Sequence, residues 1–295
     1  MGRMNYIVRV TFLLTLSTAV ATLAWGQTPS PQQQQPQQQQ PAPGTPSTEK
    51  PANQQAAPLT LEPAAPPVSA EEDAALKAFR EMKNEDLAKK EQAAEDFLTK
   101  YPQSRYRPEI YSWQVQYFRS KGETDKMEAT ADKQLALFPN DPQTLAVVGS
   151  TLPRAMNANT PDPAKRLAKA EQYCQKALEI LPTLTKPEGL PDDVFQSAKN
   201  QTAAMAYGGL GTVDFRRGKY ADAIPNFEKA VRIDPQPDPV NYYLLAYCNQ
   251  KTSHFDDAVA AYTKCAAIPS GMQATCSQGA EEAKKLAATQ LSAPK

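Results

Sequence analysis

Two stretches of this chain, 35 residues apart, place side chains of the same size at the same intervals. The first is Ala204–Pro235, AMAYGGLGTVDFRRGKYADAIPNFEKAVRIDP. In it Tyr207, Leu210 and Gly211 precede a break at Gly218, and Tyr220, Ala223, Phe227, Ala230 and Pro235 follow. The second carries Tyr242, Leu245 and Ala246, then Phe255, Ala258, Tyr262, Cys265 and Pro269. Spacings of three and four put these residues on one face of a helix. Two antiparallel helices approach closely only where side chains are small. Gly211 and Ala223 suit that contact, Ala230 suits packing on a following hairpin, and Tyr207, Leu210 and Phe227 fill the space between. Pro235 cannot continue the second helix. A unit of this kind buries its apolar face only by stacking on neighbours, so the chain is constrained to a linear array of helical hairpins.

These spacings resemble the tetratricopeptide repeat closely. The resemblance covers roughly residues 71–291 and is clearest over 204–270. Tyr111, Gly122, Met127, Ala131 and Pro139 fit an earlier unit, with methionine where a small residue is usual. Ala170, Cys174, Ala177 and Pro182 fit the second helix of another, whose first helix starts near Thr144 with Gly149 at the close contact and an insertion around Asn157–Pro163. A first unit ends at Phe97, Tyr101 and Pro102, and Thr183–Val194 reads as a longer connector. The resemblance implies an all-α, right-handed α-solenoid of about five hairpins over residues 70–292, plus a C-terminal capping helix, Met272 to Leu291. The stretch FLTKYPQS, Phe97–Ser104, resembles units of bacterial envelope proteins, including outer-membrane assembly and cell-division helpers. No segment shows the sustained period-two alternation of a half-buried strand.

The first 69 residues have a different texture. Arg3 and Arg9 precede an apolar run, Val10 to Leu23, and Ala24-Trp25-Gly26 offers small residues for a signal peptidase, so residues 1–26 read as a signal peptide cleaved after Gly26. The alternative is an uncleaved anchor at residues 10–26, although the run is short of the ~20 residues that span a bilayer. Residues 27–69 hold 11 of the 27 prolines and two four-glutamine runs, and too few large apolar side chains to offset the entropy of ordering. They are expected to form a disordered linker.

Lys+Arg and Asp+Glu are both 32. Nucleic acid, which selects a basic face, is thereby disfavoured as a partner. Nothing in the sequence carries catalysis. The sole histidine, His254, sits in an expected turn, and there is no paired-histidine helix, phosphate loop or nucleophile elbow. The glycines of Gly208-Gly209-Leu210-Gly211 lie inside a helix of the best unit and read as close packing. The chain is expected not to be an enzyme and to take no cofactor or metal. Of the four cysteines, Cys265 and Cys276 are the candidate disulfide, one late in a second helix and the other early in the capping helix; the alternative is two reduced, buried thiols. Cys174 and Cys248 fall in non-adjacent units and are left unpaired. Asn200-Gln201-Thr202 matches a glycosylation acceptor.

The resemblance implies a concave face, lined by first helices, that takes a protein or peptide partner. Its usual groove positions fall here on Met205, Gly208, Thr212, Phe215 and Arg216, then Val240, Tyr243, Tyr247, Gln250 and Lys251. The expected function is an exported, periplasmic or secreted scaffold or adaptor. The alternatives are an assembly or cell-division helper held at the inner membrane by an uncleaved leader, and an accessory domain of an enzyme. Membrane contact is expected only in the first of these.

Overall fold

A computed structural model describes residues 69–83, 86–187 and 189–292. The expected signal peptide and all of the expected linker but Ser69 lie outside the described residues. Helices account for the fold and come in pairs: α1 (Ala70–Glu81) with α2 (Leu87–Lys100), α3 (Arg107–Lys121) with α4 (Thr124–Leu137), α5 (Pro142–Ala155) with α6 (Pro163–Ile180), α7 (Asp192–Arg216) with α8 (Tyr220–Ile233), and α9 (Pro239–Lys251) with α10 (Phe255–Ala267). A last helix, α11 (Gln273–Ser292), packs on α10. The described residues form an α-solenoid of five hairpins and a terminal helix, and no described helix is long and apolar enough to cross a membrane.

Each boundary has a local cause. Ser69, Asp86, Asp141 and Asp238 accept hydrogen bonds from backbone N–H groups of the first turns of α1, α2, α5 and α9. Prolines stand in the first turn of α5, α6 and α9, where their missing N–H costs nothing. The turns within the second and fourth hairpins pass through Gly122 and Gly218, with φ of 71° and 73°. In the fifth hairpin Ser253 takes that left-handed position, with φ 63°. The connector before α7 is shorter than its sequence suggests. The helix begins at Asp192, because Pro191 precedes it and Asp192 and Asp193 favour the positive end of its dipole.

One buried stripe recurs in every second helix at steps of four and three. It runs Lys90, Ala94, Phe97 in α2; Met127, Ala131, Gln134 in α4; Ala170, Cys174, Ala177 in α6; Ala223, Phe227, Ala230 in α8; and Ala258, Tyr262, Cys265 in α10. Two members are polar and each donates hydrogen bonds across the stack, although the Gln134 Oε1 is buried with no donor among the described residues. Lys90 donates to the Met82 carbonyl at 3.0 Å and lies 4.9 Å from the Phe79 ring centre. Gln134 donates to Ser112 at 2.7 Å and to Asp141 at 2.6 Å, tying α4 to α3 and to the start of α5.

Small residues set the closest helix contacts. A Cβ on Gly211 would lie 2.8 Å from the Phe227 ring, which is how α7 receives α8. Cys174 lies between Gly149 of α5 and Gly209 of α7, filling the space either side chain would need. Burial pushes the Cys174 thiol up to about 12. The Cys265 and Cys276 sulfurs are bonded, 1.99 Å apart, and join α10 to α11. Cys174 and Cys248 are free and buried. At the other end α1 is held by polar ties: Arg80 to Glu109 through two hydrogen bonds of 2.7 and 2.6 Å, Tyr106 to Asp73 at 2.6 Å, and Ser104 to Glu72.

Candidate interaction face

The first helices α5, α7 and α9 meet on one side of the stack. Arg154, near the end of α5, donates to Asp238 and, at 2.6 Å, to Asn241, at the start of α9. In a flat layer of helices about 9 Å apart, α5 and α9 would be separated by about 18 Å with α7 between them. Their side chains meet over α7 at Gly208, which has no side chain to hold them apart. A Cβ on Gly208 would lie 2.8 Å from the Asn241 amide. Asn241 is buried beneath the arginine.

The sequence-predicted groove residues take several roles here. Arg216 donates to the carbonyls of Pro153 at 2.9 Å, Arg154 at 3.3 Å and Met156 at 3.1 Å, so its guanidinium closes the C-terminal end of α5. Thr212 is buried and its hydroxyl donates to the Gly208 carbonyl at 2.7 Å, which takes it off the surface. Phe215, Tyr220 and Tyr247 form a triangle of edge contacts with ring centres 5.5 to 6.0 Å apart. Lys251 lies over the Tyr247 ring at 5.1 Å. Tyr243 meets Tyr262 edge to face at 5.8 Å, and Tyr262 donates to Gln250 at 3.2 Å. Gln250 also reaches Glu282 of α11 at 3.4 Å. Met205 and Val240 are half-buried, and Gly208 is buried beneath Asn241.

Arg154, Asp238 and Asn241 were not among the expected groove residues. A signal for the first was present. Arg154, Arg216 and Lys251 each stand five residues after the small residue at the close contact, namely Gly149, Gly211 and Ala246. His254 is exposed at the start of α10, its Nδ1 2.8 Å from the Thr252 hydroxyl. Among the described residues, no group of three or more His, Cys, Asp or Glu side chains stands where it could hold a metal ion.

Residues 204–237 match the tetratricopeptide repeat family. Among solved structures the chain is similar to the MamA RS-1 ArsTM double mutant, at 17% identity over 74% of this chain and 98% of that one, with a TM-score of 0.45. It is similar to a thermophilic TPR protein from Thermus thermophilus, at 16% identity over 72% and 99%, TM-score 0.47. It is also similar to PilW, a widely conserved type IV pilus biogenesis factor, at 15% identity over 77% and 96%, TM-score 0.48. No curated protein matches the chain in sequence. Residues 204–237 are thus a tetratricopeptide repeat, and the buried stripe that this unit carries recurs in the second helices from α2 to α10.

Proposed function

We propose that this protein is an exported adaptor that holds an extended segment of a partner protein on the face built by its first helices. The observation that carries the reading is the contact of α5 with α9 across α7, through Arg154, Asp238 and Asn241. Along the face stand half-buried aromatic rings with polar tips, Tyr243 and Tyr247, and the cations Arg154 and Lys251. Aromatic anchors flanked by hydrogen-bonding groups suit a polypeptide strand, which offers alternating side chains and a backbone. The aromatic triangle also tells how the anchors are presented. Tyr247 is held by Phe215 and Tyr220, so little rotamer entropy is lost when a partner packs on it.

Export is supported by Arg3 and Arg9 ahead of the apolar run, by the small residues at Ala24 and Gly26, and by a disulfide of the kind that persists in oxidising compartments. A photo-cross-linking residue at Lys251, with one at Lys133 of α4 as the control, tests the face in the native cells. Adducts to one partner from position 251 and none from position 133 are expected, and equal labelling from both would defeat the assignment. Mass spectrometry of the mature N-terminus tests export, with a chain starting at Gln27 expected and an intact Met1 counting against release.

A further inference from the structure

The support of Tyr243 runs back to the disulfide. Tyr243 on α9 meets the Tyr262 ring at 5.8 Å between centres. Tyr262 of α10 is buried, and its hydroxyl donates to Gln250 of α9 at 3.2 Å. The other side of that ring is closed by α11. Gly279 stands against it, where a Cβ would lie 2.7 Å from one of the ring carbons. Glu282, three residues on, accepts from the Gln250 amide at 3.4 Å. The terminal helix therefore backs two residues of the candidate face, Tyr243 through Tyr262 and Gln250 directly.

Packing alone holds α11 weakly. The side chains it buries among the described residues are Cys276, Ala280 and Ala283, all small, so little apolar area is removed from water. Gly279 inside the helix also lowers its propensity to form. Cys276 belongs to the buried stripe, three residues before Gly279 and four before Ala280, and its bond to Cys265 pins that stripe to α10. A cross-link over a separation of 11 residues moves the balance between docked and free helix about a hundredfold toward docked. Both sulfurs are buried, so a reducing thiolate has no path to them while α11 is docked.

We propose that oxidation of Cys265 and Cys276 completes the interaction face at Tyr243 and Gln250, so that the protein takes its partner only after it has reached an oxidising compartment. The proposal rests on the adaptor reading and adds its regulation. In the step, the two thiols give two electrons and two protons to the disulfide of a thiol oxidoreductase. An S–S bond forms between them, and the oxidoreductase leaves as a dithiol. Before that step α11 comes away from α10 readily. Tyr262 then loses its backing, and Tyr243 and Gln250 lose the groups that hold their rotamers. An anchor that has to be ordered on binding gives up affinity for the ordering. After the step the buried bond keeps the helix down, and the device works once and in one direction.

The test compares the oxidised protein with Cys265→Ala/Cys276→Ala by two readouts. The first is nitration by tetranitromethane, mapped to single tyrosines by mass spectrometry. Tyr243 and Tyr262 are expected to react faster in the variant, with Tyr173 of α6 unchanged as the control. The second is photo-cross-linking from position 251 in the native cells, where adduct yield is expected to fall about tenfold in the variant, the scale of one lost anchor. Unchanged reactivity of Tyr243, or a rise shared equally by Tyr173, would show that the bond does not act on the face and would overturn the proposal. Equal adduct yield from both proteins sinks the regulation and leaves the adaptor reading standing, whereas absence of adducts from the wild type as well defeats both.

Discussion

The sulfur of Cys174 occupies the space that a side chain on Gly209 would need, since a Cβ there would lie 2.5 Å from Sγ. The same Cβ would meet Ser150 Cα at 3.0 Å and the Gly149 carbonyl at 3.1 Å, both main-chain atoms that cannot swing aside. Gly209→Ala gains about 1 kcal/mol of helix propensity, but the overpacking is the larger effect. We expect a net loss of about 2 kcal/mol, read as a lower urea midpoint. Gly208→Ala meets the Asn241 side chain instead, which can turn, so its loss should be smaller. A Gly209→Ala protein as stable as wild type would show that α5 and α7 are not in near contact.

Ser253 sits in a conformation that its counterparts Gly122 and Gly218 adopt without strain. A left-handed backbone costs an L-residue about 1–2 kcal/mol, partly offset by the greater freedom of glycine in the unfolded chain. Ser253→Gly should therefore stabilise the protein by about 0.5–1 kcal/mol, seen as a higher urea midpoint. A fall would mean that the Ser253 side chain makes a contact that outweighs the strain.

The bond between Cys265 and Cys276 closes a separation of 11 residues at the edge of the stack. A loop of that length contributes about 3 kcal/mol through the unfolded chain. In an array of repeats the loss falls mainly on the end element. Hydrogen exchange on Cys276→Ser should show α11 losing protection while the interior of α7 keeps it. Equal loss in both helices would show instead that the repeats unfold as one body.

Glu128 on α4 receives hydrogen bonds from Arg166 at 3.0 Å and Lys169 at 2.7 Å, both on α6. Burial works to raise its pKa, but the bonds from Lys169 and Arg166 and their charges together outweigh burial and hold it below the ordinary range. A carboxyl lowered in the folded state contributes its stability above the unfolded value, about 4.3, and loses it as pH falls through the lowered folded value. Glu128→Gln should cost about 1 kcal/mol at pH 7 and flatten the acid limb of the stability curve below about pH 4.3. Urea midpoints at pH 7 and pH 3.5 check both, and an unchanged acid limb would show that the carboxylate is not ion-paired in solution.

The sequence made the hairpins visible because their cause is local. Gly211 against Phe227 and the stripe Ala223, Phe227, Ala230 are set by spacings within one unit, which any helix-period reading recovers. Proline and glycine density places the start of α7 later than it is, because it marks a connector well and its end poorly. Asp192 and Asp193, acidic residues at a helix N-terminus, were the better sign. The interaction face was only half legible. Register places Arg216 on the groove, yet register does not say that the end of α5 passes beneath it. Arg154 meets Asp238 and Asn241 across 84 and 87 residues, a contact that exists only once the hairpins have stacked.

In an ideal array each repeat touches only its immediate neighbours, and the whole can bend like a spring. The link from Arg154 to Asp238 and Asn241 skips a neighbour, joining the third hairpin to the fifth. It acts as a brace. Over those three units the spring is stiffened and its pitch is fixed, whereas the two hairpins before them carry no such strut among the described residues. A bound strand would therefore find one end of its seat rigid and the other compliant.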